Sequence, residues 1–344
     1  MADLRDLAQG SGDVIVIAEA GVNHNGSEDT AHRLIDVAVE AGADFVKFQT
    51  FDPSRLVAPR TAATPYQRAR GARSQTELLE ALALPRDAWA RLRDHAVDAG
   101  IGFLSTPFDT ESARLLVDLD VAALKLSSGE LTNVPFIADV ASLGVPLLLS
   151  TGMGSEDEVV AAVAAAAAAP SVSVFHCVSA YPAPLEECNL RAIPALAART
   201  GVAVGWSDHT IGVESAVIAA ALGARLFEKH FTLDKGMPGP DHVASLEPGE
   251  LRDYVQRLAE VPVVLGDGVK RRMPSEEENA LLVRRSWHAA ADLAPGHVIG
   301  VGDLIALRPE SGITPVHDLV GRTVAAPLAV GEPVTDDAIV PERA

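Results

Sequence analysis

Five titratable side chains, Glu19, Lys47, Lys125, His209 and His230, sit in short apolar runs where a core segment would carry valine or leucine. The run "RLFEKH", Arg225 to His230, begins as a buried segment and then fills with charge. Burying such groups costs free energy unless they are paired, so their placement points to chemistry. Hydroxyls close several of the same runs, at Thr106, Ser128, Ser150 and Ser207. Two ammoniums among hydroxyl donors make a basic cup suited to a phosphate and a carboxylate. His209 and His230 suit one divalent cation, with coordination positions left for water and substrate. Glu19 is a candidate acid or base, or a buried partner for Lys47 or Lys125. His24, His176 and Cys177 rank lower, since "FHCVS" gives the thiol no activating base and suits a small core residue.

The elements that must position these groups form one repeating pattern. Eight β-rich runs, "DVIVIAEAG", "DFVKFQT", "IGFLSTPF", "AALKLSS", "PLLLSTG", "VSVFHCVS", "VAVGWSD" and "RLFEKHF", alternate with segments of helical period such as "EDTAHRLIDVAVEAG" and "GVESAVIAAALG". That alternation implies a parallel sheet wrapped by helices. Eight units over about 260 residues match a (β/α)8 barrel, whose active site lies at the C-terminal strand ends. The candidate residues recur at that end. The alanine-rich run after Ser155 reads as an outer helix with a serine N-cap. Lys229 alternates with His230, points away from the lumen and is left out of the catalytic set.

Residues 1–265 form the expected barrel, 266–283 a polar linker, and 284–344 a β-rich module with Gly and Pro at short intervals and little core of its own. A linker of about 18 residues can reach about 60 Å when extended. The 344 residues carry 28 basic and 47 acidic side chains, a net charge of −19, which disfavours nucleic acid and anionic membrane as partners. Two cysteines build no disulfide framework, and no secretory h-region or bilayer-length apolar run is evident. A cytoplasmic location is the expectation.

The strings "IAEAGVNHNG", "GADFVKFQTF", "FLSTPFD", "LKLSSGEL", "LSTGM", "HCVSAYPAP", "GWSDHT", "EKHFTLDK" and "GPDH" resemble the sialic acid synthase family, and "RRSWHAAADLAPGHVIGVGDLIALRPESGI" onward resembles its antifreeze-like (SAF) domain. The resemblance covers nearly the whole chain. It implies condensation of phosphoenolpyruvate with an open-chain N-acylamino sugar and release of phosphate. Lys125, Ser128, Ser150 and Ser207 would hold the phosphate of phosphoenolpyruvate, Lys47 and Thr106 its carboxylate, and Ser179 would contact the same substrate, at a position where several relatives carry Asn. His209 and His230 would hold Mn²⁺, Mg²⁺ or Co²⁺. Glu19 would move a proton or position the attacking water. Gln49, Glu130, Tyr181, Asp241 and Arg308 would contact the acceptor, with Arg308 reaching it from the SAF domain of a homodimer partner. N-acetylmannosamine, its 6-phosphate, and diacetamido sugars leading to legionaminic or pseudaminic acid all remain open as acceptors. The other catalytic reading is a Schiff-base aldolase using Lys125 as nucleophile.

Overall fold

The computed structural model describes residues 14–58, 61–62 and 74–341. The first residues of the expected barrel segment and the last three of the tail lie outside them. Eight strands, β1 (Ile15–Gly21), β2 (Phe45–Thr50), β3 (Gly102–Pro107), β4 (Leu124–Leu126), β5 (Leu147–Ser150), β6 (Val172–Cys177), β7 (Ala203–Asp208) and β8 (Leu226–His230), pair in sequence order, and β8 pairs with β1 to close the barrel. The pairings are parallel, and they are the eight runs read from the sequence.

Strand alternation divides the side chains into two layers. Val16, Ala18, Phe48, Leu126, Leu149, Val174 and Phe227 face outward and join the helices in one apolar layer. Ile15, Ile17, Phe45, Leu104, Ala123, Leu148, Phe175 and Leu226 face inward and plug the barrel base. Residues further along the inward face of the same strands therefore sit on a solid apolar floor. Gly102 is dictated by that floor, because a Cβ there would lie 2.2 Å from the Phe45 ring. No side chain fits that gap.

The crossovers carry local start and stop signals. Ser27 caps Glu28–Ala41 by accepting from the Thr30 N–H, and Gly42 ends that helix in the left-handed conformation. Ser155 and Glu158 form a reciprocal capping box on Glu156–Ala165, so the alanine-rich run is an outer helix as expected. Between β2 and β3 the described chain forms three helices, Pro53–Leu56, Gln75–Leu82 and Ala88–Asp98.

The chain divides into two compact units, Met1–Gly266 and Asp267–Ala344. In the second, the stretch read as linker contains a helix, Glu277–Val283, where polar turn-rich chain was expected. Strands β9 (Ser286–Ala289) and β10 (Leu304–Leu307) then pair antiparallel. The module has its own core, with Ala289, Leu293, Ile299, Leu319, Val324, Leu328, Val334 and Ile339 buried together, more than its turn-rich sequence suggested.

Candidate active site

The sides of a cavity of about 420 Å³ are formed by the residues that continue the inward face above the apolar floor. From β1 comes Glu19, from β2 Lys47 and Gln49, from β3 Thr106, from β4 Lys125, from β5 Ser150, and from β7 and β8 Ser207, Glu228 and His230. His209, Ser128, Ser179 and Tyr181 join them from the loops just past the strands. Every strand but β6 delivers one or two polar groups because β-pleating sends every second residue inward.

The centre is a buried charge cluster. Lys47 Nζ lies 2.7 Å from Glu19 Oε2 and 3.6 Å from Glu228 Oε2, and it donates to Thr106 Oγ1 at 3.0 Å. Lys125 Nζ lies 3.5 Å from the same Glu228 oxygen and donates to Ser150 Oγ. Ser207 donates to the other Glu228 oxygen at 3.0 Å. Glu228 thus bridges both lysines. Glu228 lies within the run "RLFEKH", and the alternation that turns Lys229 outward puts it on the same face as His230.

The two carboxyls titrate far apart. Burial pushes Glu228 up, but the Lys125 and Lys47 ammoniums outweigh it and hold the carboxyl at about 2. Burial dominates at Glu19, where it and the nearby Glu228 charge overcome the Lys47 ion pair and raise the pKa to about 7. Burial also lowers Lys125, whereas for Lys47 the same burial is outweighed by Glu19 and Glu228, so its pKa rises. At neutral pH two ammoniums therefore face one firmly ionised carboxylate and one that is partly protonated. The cavity is locally cationic inside an acidic protein, the arrangement that draws an anion.

The imidazoles stand to one side of this cluster. Their ring centroids are 5.6 Å apart, and Tyr181 lies against both, 4.2 Å from His209 and 5.7 Å from His230. His209 Nδ1 lies 2.6 Å from the Val178 carbonyl, which can only accept, so Nδ1 carries the hydrogen and Nε2 the lone pair. His230 Nδ1 is buried without a hydrogen-bond partner. Burial lowers both pKa values, which keeps the rings neutral. Neutral rings with available lone pairs fit a divalent cation. Among the described residues no group of three or more His, Cys, Asp or Glu side chains is set to hold a metal.

Ser128, Cys177 and Ser179 crowd around Gly152, whose N–H donates to Ser128 Oγ at 3.0 Å. A Cβ at Gly152 would lie 2.3 Å from Ser179 Oγ and 2.9 Å from Ser128 Oγ, so only glycine leaves these hydroxyls in place. Cys177 is buried against Ser128 Oγ at 3.2 Å, which agrees with a small packing residue.

Three sequence candidates are not among the cavity-lining residues. Glu130 lies in the single turn after β4 and accepts from Asn133 Nδ2 at 2.7 Å. Asp241 is buried in the turn before His242–Ala244, its carbonyl accepting from Ser245 Oγ at 2.7 Å. Arg308 belongs to the second unit and is exposed there, just past β10. The loop residues Asn23 and His24 are structural by contrast. Asn23 Nδ2 donates to the Phe231 carbonyl and to Ser245 Oγ, and burial holds His24 at about 4.

A closed parallel barrel with a cationic cluster and paired neutral imidazoles above its apolar floor defines a (β/α)8-barrel enzyme with an anion-attracting site. Residues 34–270 match the NeuB family and residues 284–340 the SAF domain. The chain is 42% identical over 306 residues to N,N'-diacetyllegionaminic acid synthase of Campylobacter jejuni, covering 87% of this chain and 92% of that one. It is 41% identical over 326 residues to the enzyme of the same name from Legionella pneumophila, covering 92% of each. The crystal structure of N-acetylneuraminic acid (sialic acid) synthetase from Leptospira borgpetersenii superposes with a TM-score of 0.70 at 31% identity, over 78% of this chain and 90% of that one. The chain belongs to the NeuB family.

Proposed function

We propose that the protein condenses phosphoenolpyruvate with an open-chain N-acylamino sugar and releases phosphate, forming a nonulosonate. The observation that carries this reading is the pair of buried ammoniums bridged by one ionised carboxylate, beside two neutral imidazoles. Lys125, Ser128, Ser150 and Ser207 hold the phosphate, Lys47 and Thr106 the carboxylate, and Ser179 contacts phosphoenolpyruvate from the cavity wall. His209 and His230 hold a divalent cation, Mn²⁺, Mg²⁺ or Co²⁺, which supplies Lewis acidity to the sugar aldehyde when bound.

The enol carbon of phosphoenolpyruvate forms the new bond to the aldehyde carbon. The enol π electrons supply that bond while the aldehyde C=O π electrons move onto oxygen, which takes up a proton to become a hydroxyl. Water adds at the carbon bearing the phosphate ester. This tetrahedral carbon collapses to the keto group as its carbon–oxygen bond to phosphate breaks and the departing phosphate takes the remaining water proton. Glu19, near half-ionised at neutral pH, takes the proton from that water. Gln49 and Tyr181 contact the sugar from the cavity. Glu130, Asp241 and Arg308 complete the acceptor site when substrate is bound, Arg308 from the SAF domain of the partner in a homodimer. Family resemblance supports that last assignment.

The acceptor we infer is a diacetamido sugar that yields N,N'-diacetyllegionaminic acid. Support comes from 41–42% identity to two enzymes of that name, against 31% to the sialic acid synthetase. Phosphate release from phosphoenolpyruvate, measured with diacetamido sugars, N-acetylmannosamine and its 6-phosphate in turn, tests it. Turnover confined to N-acetylmannosamine or its phosphate would refute the acceptor.

The lowered pKa of Lys125 is the observation that favours a Schiff-base aldolase instead. Borohydride in the presence of substrate traps an imine on Lys125 if that chemistry operates. Condensation through phosphoenolpyruvate leaves the lysine unmodified.

A further inference from the structure

On β7 and β8 the residues that alternate with the cavity set face the helices, and Val204, Trp206 and Phe227 lie in that apolar layer. The next positions on the same face are Asp208 and Lys229. They are register partners across the two strands, fully buried, and form an ion pair at 3.1 Å. A well-packed apolar pair of similar volume stabilises a fold at least as well as a buried ion pair, so stability alone is a poor reason for these charges.

Their geometry supplies a better one. The β7–β8 ladder ends at Asp208, and His209 starts the loop beyond it. Asp208 Oδ1 accepts from the Thr210 backbone N–H at 2.9 Å and from Thr210 Oγ1 at 2.7 Å, while Lys229 Nζ donates to the Thr210 carbonyl. Lys229 therefore grips both residues that flank His209, and Lys229 itself immediately precedes His230. Thr210 Oγ1 also meets Ser215 Oγ at 2.8 Å, tying the turn to the helix Glu214–Ala221. One buried pair behind the barrel wall thus connects the backbone of the His209 turn with that of His230.

We propose that Asp208 and Lys229 are positioning residues that set the separation and orientation of the His209 and His230 imidazoles from outside the lumen. The proposal rests on reading those two histidines as cation ligands, so its test includes a measurement that needs no metal. Lys229→Met alone strands a buried carboxylate, so the main reagent is the double variant Lys229→Met with Asp208→Asn, which removes both charges.

In metal-free full-length protein, long-range ¹H–¹⁵N imidazole spectra should report His209 as the Nδ1–H tautomer that bonds to Val178. In the folded double variant that signal should average with the other tautomer. Mn²⁺ binding followed by electron paramagnetic resonance should weaken about 10- to 100-fold, as for other groups that orient a metal ligand. Turnover should fall while the KM for phosphoenolpyruvate changes little. A folded double variant with the wild-type tautomer signal and wild-type Mn²⁺ affinity overturns the proposal. So does a double variant that cannot fold, which would make the pair a folding element. Wild-type protein that binds no Mn²⁺, with the tautomer signal still lost in the variant, sinks the cation reading and leaves the positioning role standing.

Discussion

Glu19 on β1 and Lys47 on β2 are register partners whose side chains meet at 2.7 Å inside the barrel, yet the carboxyl of this ion pair has its pKa raised to about 7. Two opposing effects meet there. Burial, the largest effect, favours the neutral acid, Lys47 favours the carboxylate, and the ionised Glu228 that shares Lys47 adds to the side of the acid. A group poised near neutral pH is what proton transfer needs.

As a base Glu19 acts in its ionised form, so kcat/KM for phosphoenolpyruvate should rise with pH to a plateau, with a midpoint near the free-enzyme value of about 7. Glu19→Gln should abolish that limb and lower kcat by about 10²- to 10⁴-fold while sparing substrate affinity. A pH–rate profile in which the variant keeps the same midpoint would assign the titration elsewhere.

Lys125→Ala removes an ammonium assigned to phosphate. Charged hydrogen bonds contribute about 1.5–3 kcal/mol, so the KM for phosphoenolpyruvate should rise roughly 10- to 100-fold. The KM for the sugar should stay as it was. Steady-state kinetics with each substrate varied in turn decides, and an effect confined to the sugar rejects the assignment.

Glu228 is predicted to hold the site together electrostatically. Glu228→Ala leaves Lys47 and Lys125 buried without their shared counter-ion and should cost about 3–5 kcal/mol in urea unfolding. Glu228→Gln, which keeps the shape and can still accept from Ser207, should cost less but still lower turnover. Equal stability of Glu228→Ala and wild type would show that the bridge is not structural.

Excess chelator should abolish turnover, and Mn²⁺, Mg²⁺ or Co²⁺ should restore it. His209→Ala and His230→Ala should each lose more than the about 10- to 100-fold expected for groups that merely orient a ligand. Full activity in chelator would remove the cation from the mechanism.

If Arg308 acts across a homodimer, Arg308→Ala and His230→Ala subunits should each be inactive alone and regain activity after subunit exchange. Each mixed dimer would contain one site with both lesions and one with neither. Mixed dimers that form without recovery would place Arg308 outside the partner's site.

By itself the sequence determined the architecture and the identity of most cavity groups. Both follow from period: apolar runs of strand length between helical segments dictate a parallel barrel, and β-alternation decides which residues enter the lumen. That rule turned Lys229 outward and His230 inward, as found. It also puts Glu228 on the lumen side, but the role of that carboxylate depends on its distances to Lys47 and Lys125, which strand period does not give. Only the tertiary structure decided how charge is shared. The contrast between Glu19 and Glu228, two buried glutamates in neighbouring strands, depends on ångström-scale separations from the same two lysines, and no spacing along the chain encodes these. Nor could sequence place Glu130 and Asp241 away from the cavity wall, because loop conformation is set by contacts such as Asn133 on Glu130 rather than by strand period. The buried staple behind the two histidines was hidden for the same reason. Asp208 and Lys229 are 21 positions apart, and only closure of the barrel brings β7 beside β8 and makes them partners.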